Sequence, residues 1–197
     1  MTVPRIRWLR RGMGLAGMAA VLLGRPALAH SPGVLQPGRP FTVKDATISR
    51  ALYGTFGRGD DVFIVRLHFD EDFALPVELL VPHRDESRKH RPAYAIVGAG
   101  LPVPTDEQRQ LLPRAVGTGL GSFIDMNRIE PRPAIYESFT RRFFWSSGPV
   151  AVVLPRGDYE IWIWSPDRTI GKVVIGFGVE ERVDVGDALR DWATYAY

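Results

Sequence analysis

Residues 62–69 read Val-Phe-Ile-Val-Arg-Leu-His-Phe. In an extended chain this alternation puts Phe63, Val65, Leu67 and Phe69 on one face, with Arg66 and His68 on the other. A helix would scatter the same four apolar residues around its surface, so the segment is predicted as a strand with one buried side. Short segments of similar character recur at 41–44, 48–56, 75–81, 93–97, 134–136, 150–154, 159–164 and 172–178. Turn residues separate most of them: Gly57-Arg58-Gly59-Asp60, Pro155-Arg156-Gly157-Asp158 and Ser165-Pro166-Asp167. No long amphipathic helix interrupts the series. Short strands joined by turns predict an all-β chain: a single antiparallel β-sandwich, jelly-roll-like, over residues 41–197.

Two stretches depart from this rhythm. Residues 98–133 are long and rich in Gly and Pro, and are expected to be one loop insertion with a helical turn near 108–112. Loops of that length are uncommon in compact domains and are often functional. Residues 185–192 (VGDALRDW) are expected to form a short C-terminal helix. Residues 30–40 (HSPGVLQPGRP) read as an irregular N-terminal arm.

The first 29 residues have the three parts of a cleavable signal peptide. Arg5, Arg7, Arg10 and Arg11 form a basic start, residues 13–23 are apolar, and Ala27-Leu28-Ala29 is a small-x-small cleavage site. The apolar run is about half the roughly 20 residues that a membrane span needs. The expected mature chain therefore has no transmembrane segment and is periplasmic or secreted. This segment holds five of the 25 basic residues and none of the 22 acidic ones, which leaves 20 against 22 beyond it. That balance gives no basic footprint for nucleic acid. The chain has no Cys, which excludes disulfides, thiolate metal sites and cysteine nucleophiles.

GRGDDVFIVRLHF (57–69) is similar to the Gly-Asp-x-Asp-x-Phe turn into a strand of bacterial pre-peptidase C-terminal-type β-sandwiches. LPRGDYEIWIWSPDRTIGKVVIGFG (154–178) is similar to that family's closing pair of strands. The words ISRALYG, VGAGLP, YESFT and GFGVEE make the chain look like a group of uncharacterised exported bacterial proteins. These resemblances imply a sandwich fold, an envelope location and an accessory, non-catalytic role. An envelope protein or a polysaccharide is the expected partner.

Three sets of side chains are candidates for a site. Cleavage after Ala29 would make His30 the first residue, so that its amine and imidazole could chelate one copper ion. His68 and Asp70 are the expected further ligands, since imidazole and carboxylate both suit Cu(II). His83 and His90 lie in a charged loop and are expected to be solvated. Trp162 and Trp164 are two apart on a strand, roughly 7 Å along one face. They suit either stacking on successive sugars or packing as core. Tyr136 and Glu137 sit in a nearby aromatic stretch and are further ligand-binding candidates. Asp60, Asp61, Asp70, Glu71 and Asp72 lack the spacing of a calcium loop and read as turn acids. No Gly-x-Ser-x-Gly, His-Glu-x-x-His or Walker motif is present. The expected function is that of an exported binding or accessory module. Copper binding through His30 and carbohydrate binding through Trp162 and Trp164 are the alternatives. No cofactor is expected apart from that copper.

Overall fold

The computed structural model describes residues 31–137 and 140–180. The expected signal peptide, His30 and the expected helix at 185–192 lie outside the described residues. Twelve strands and one helix follow in order: β1 (Ser31–Val34), β2 (Phe41–Thr42), β3 (Arg50–Phe56), β4 (Val62–Phe69), β5 (Phe73–Pro82), β6 (Ala93–Gly98), α1 (Asp106–Leu111), β7 (Gly121–Asp125), β8 (Ala134–Glu137), β9 (Arg142–Ser146), β10 (Val150–Leu154), β11 (Gly157–Trp164) and β12 (Gly171–Phe177). The chain is all-β in class, and its strands form two sheets.

One sheet has the order β1-β3-β12-β5-β9-β8, with β10 also paired to β5. Val77 of β5 faces Phe177 on one edge and Val150 on the other, and Leu80 likewise faces Val174 and Ser146. Strands β9 and β10 therefore share one edge of β5, end to end. The second sheet has the order β2-β4-β11-β6-β7. One apolar cluster joins the two. Leu52, Phe56, Leu75, Val77, Leu79, Val173 and Ile175 come from the first sheet, and Phe63, Val65, Leu67, Tyr94, Ile96, Ile161 and Ile163 from the second. Each Leu, Ile or Phe buried this way stabilises the fold by about 1.5–3 kcal/mol over leaving it in water. The four apolar residues of alternating β4 all point into this cluster.

The arm expected to be irregular contains β1, whose pairing with β3 is parallel, as is that of β2 with β4. The stretch 31–42 follows the arch formed by β3, its turn and β4, running beside it in the same direction. Ser31 N–H donates to Ser49 and Leu35 N–H to Tyr53, so alternate residues of β1 face β3 and Pro32 turns its missing donor to the open edge. This is the position where a sheet tolerates proline. Gly33 is needed there because a Cβ would lie 2.6 Å from Leu52 Cδ2 and 2.8 Å from the Phe41 ring.

The expected loop at 98–133 is shorter than its sequence suggested. Gly98 ends β6, and residues 121–125 pair with β6 as β7. What remains between them, 99–120, is a strap carrying α1. That helix starts at a capping box in which Thr105 accepts from Gln108 N–H and the Gln108 side chain accepts from Thr105 N–H. None of its residues is buried.

His90 is buried rather than solvated, at 3% exposure. Its Nδ1 bonds Thr169 Oγ1 at 2.7 Å, and its ring meets Phe56 edge-on at 5.6 Å. Burial, helped by the Arg132 cation, pushes its pKa down to about 4 from 6.5. The folded state therefore refuses a proton that the unfolded chain accepts below pH 6.5, and stability falls as pH drops from 6.5 towards 4. The loss amounts to about 3 kcal/mol. His90→Gln is expected to remove that part of the acid slope. Urea unfolding at pH 7 and pH 4.5 reads the difference, and equal slopes in both proteins would refute the assignment.

Candidate functional site

The second sheet has an outer face as well as an inner one. On β11, Asp158, Glu160, Trp162 and Trp164 alternate with the core residues, and the register sets them opposite His68, Arg66, Ile64 and Val62 of β4. The face is polar at one end and apolar at the other. Trp162, Trp164, Ile64, Ala93, Ala95 and Val97 form a second apolar cluster there. Strap residues Leu112 and Val116 pack on it, with Ile124 and Met126 beside them.

This packing corrects the sugar-stacking reading of the tryptophans. Stacking needs open rings, whereas Trp162 and Trp164 are 4% and 5% exposed. Two large apolar rings on a sheet face lose too much to water when bare, so the chain spends part of its long connection covering them.

Tyr136 and Glu137 are not brought to this face. They line a smaller cleft of about 240 Å³ on the other sheet, with Glu78, Ile135, Val174 and Phe177. Tyr136 is exposed and meets Phe143 edge-on at 5.3 Å. Glu137 is buried, and its Oε2 accepts from both the N–H and the hydroxyl of Thr140.

His68 and Asp70 are brought together, and Asp158 joins them. The imidazole sits between the two carboxylates, with Nδ1 2.7 Å from Asp158 and Nε2 3.2 Å from Asp70. Hydrogen bonds to Asp158 and then Asp70 raise its pKa, which favours an imidazolium that donates at both nitrogens. Among the described residues no group of three or more His, Asp and Glu side chains is arranged to hold a metal ion. The copper reading rests on His30, outside the described residues.

Sequence reasoning missed the polar partners of Trp162. Its Nε1 donates to Glu160 Oε2 at 2.8 Å, while Arg66 Nε donates to Glu160 Oε1 at 3.1 Å. Burial pushes the Glu160 carboxyl up, but these two hydrogen bonds and the charges of Arg66 and Arg114 outweigh it and hold the pKa below the usual value. Arg114, on the strap, sits over the Trp162 ring in a cation–π contact, its Cζ 5.2 Å from the ring centroid. The alternation of 157–164 contained a signal for Glu160, since it shares a face with both tryptophans. Nothing local pointed to Arg114, which is 48 positions away along the chain.

Where the strap lifts from the sheet it leaves a trough of about 610 Å³, with Val43, Val97, Leu120 and Trp162 along its walls and Arg66, Asp158 and Glu160 at its polar side. Binding sites for small organic molecules fall in this size range and combine apolar walls with a few fixed polar groups. A second cleft of about 670 Å³ adjoins it and shares Arg66, with Arg58, Asp60, Asp61 and Arg114 around it. No protein-family model matches this chain, and no curated protein matches it.

Proposed function

We propose that this chain is an exported, non-catalytic β-sandwich, a binding module of the cell envelope whose ligand lies in the trough beneath the strap. The observation that carries the reading is the trough itself. Its apolar walls are built from residues of β6, β11 and the strap, and its polar side from a carboxylate fixed by two donors. A group held in place before the ligand arrives costs less entropy on binding. The shared cluster between the sheets supports the sandwich. The signal-like first 29 residues support export. The likeness of 57–69 and 154–178 to pre-peptidase C-terminal-type domains favours an accessory role.

A neutral apolar fluorophore such as N-phenylnaphthylamine tests the trough. Saturable binding near one equivalent is expected. Leu120→Asp places a charge on the apolar wall at a residue already 37% exposed. It is expected to weaken binding at least ten-fold while the unfolding midpoint stays put. Absence of saturable binding, or equal affinity in the variant, would refute the reading.

A further inference from the structure

The hydrogen-bonding inventory of the second cleft is unbalanced in one direction. Its acids are committed. Asp60 takes both Arg58 Nε, at 3.0 Å, and Arg58 Nη2, at 2.8 Å. Asp61 Oδ2 accepts from the N–H groups of Gly57 and Arg58, each at 2.8 Å. These carboxylates close a turn and neutralise Arg58.

The donors of Arg66 and Arg114, which line the same cleft, are only partly committed. Arg66 gives only its Nε to Glu160, and its two terminal nitrogens have no hydrogen-bond partner among the described residues. Arg114 has the Trp162 ring beneath it and no carboxylate within ion-pair distance among the described residues. A guanidinium carries five N–H donors and no acceptor. A contact with a ring through the cation uses none of those N–H donors, which remain able to bind an oxyanion. The attraction between the cation and the ring holds Arg114 in place before any ligand arrives. Arg66 lines both the cleft and the apolar trough, and Arg114 lines the cleft while sitting over Trp162, a residue of the trough.

We propose that the ligand is a single-chain anionic amphiphile of the fatty-acid type. Its hydrocarbon lies in the trough against Val97, Leu120 and Trp162, and its carboxylate is held between Arg66 and Arg114 in the adjoining cleft. The proposal rests on the reading of the trough as the ligand site. Of the acids around the two hollows, Asp60 and Asp61 already accept from Arg58 and from backbone N–H groups, and Asp158, which also lines the trough, faces His68. A neutral head group would leave the terminal nitrogens of Arg66 and the Arg114 guanidinium without an anionic hydrogen-bond acceptor beyond the Glu160 carboxylate that Arg66 Nε already holds.

The test uses three molecules with one tail and three heads: dodecanoate, dodecanol and dodecyltrimethylammonium, each below its micelle concentration. Each displaces N-phenylnaphthylamine from the protein in a competition titration. Dodecanoate is expected to bind at least ten-fold more tightly than the other two, and to weaken as salt is raised. Arg114→Gln is expected to weaken dodecanoate five-fold or more and to leave dodecanol unchanged. Arg114→Lys keeps the charge without the planar fork and is expected to fall between. Equal affinity for the three heads, or a preference for the ammonium, overturns the anion proposal while the trough reading stands. Failure of all three to displace a probe that itself binds saturably overturns the amphiphile proposal while the trough reading stands, and absence of saturable probe binding overturns both. An equal loss for dodecanoate and dodecanol in Arg114→Gln assigns Arg114 to packing of the strap and overturns its role in holding the head group.

Discussion

Trp162→Ala is expected to destabilise the protein by about 3–5 kcal/mol, the range for removing a large buried aromatic. Its effect comes from three sources. The indole is 4% exposed within the outer cluster, so deletion leaves a cavity walled by Ile64, Ala95 and Val97. Glu160 loses the Nε1 donor that helps hold its charge in a half-buried position. Arg114 loses the ring beneath it, and with it the pin that draws the strap down. Trp162→Phe separates these effects. It keeps most of the packing but deletes the hydrogen bond to a charged acceptor, worth about 1.5–3 kcal/mol. Chemical denaturation of both variants measures the pair. A loss below about 1 kcal/mol in the alanine variant would show that the outer face of β11 is not packed by the strap.

Gly121→Ala is expected to cost about 3 kcal/mol, at the upper end for overpacking in a tightly fitted site. A Cβ at Gly121 would collide with the carbonyl oxygen of Leu101 and lie 2.6 Å from that of Pro102. Neither obstacle is a side chain that can rotate away. On one side Gly121 is tied to Gly98 in the β6–β7 pairing, and Pro102 accepts from Ser122 N–H at 2.8 Å. The substitution must therefore push the start of the strap off the sheet, and N-phenylnaphthylamine binding is expected to fall together with stability. Gly119→Ala is the contrasting variant on the same strap. Its φ is +80° and no atom lies within 4 Å of a Cβ there, so only backbone strain remains, about 1 kcal/mol. Equal costs for the two substitutions would refute the steric account.

The contrast between those two glycines shows where local reasoning stops. Both are a Gly in a Gly-rich stretch, Gly117-Thr118-Gly119-Leu120-Gly121. One is required by a turn and the other by chain 20 residues earlier, and the sequence looks the same at both. Strand β7 was hidden for a related reason. Residues 121–125 carry only Phe123 and Ile124 as apolar residues, too few to show an alternation, and they are held as a strand by pairing with β6. Strand β9, in Arg142–Ser146, shows no apolar–polar alternation because it is flanked by β8 on one edge and by β5, more than 60 residues earlier, on the other. His90 looked solvated because its neighbours in the chain are charged, yet it is Phe56 and Thr169 that bury it.

The sequence by itself determined the all-β class, the places of most strands and which face of β4 enters the core. Those follow from period-two alternation and turn chemistry, properties of a few consecutive residues. Only the tertiary structure decided that Trp162 and Trp164 lie under a strap, that Arg114 sits over one of them, and that Arg66 stands between a trough and a cleft. Each of these depends on two segments of chain meeting in space. Their stabilisation comes from area removed from water and from hydrogen bonds made across the gap, neither of which a short stretch of sequence contains.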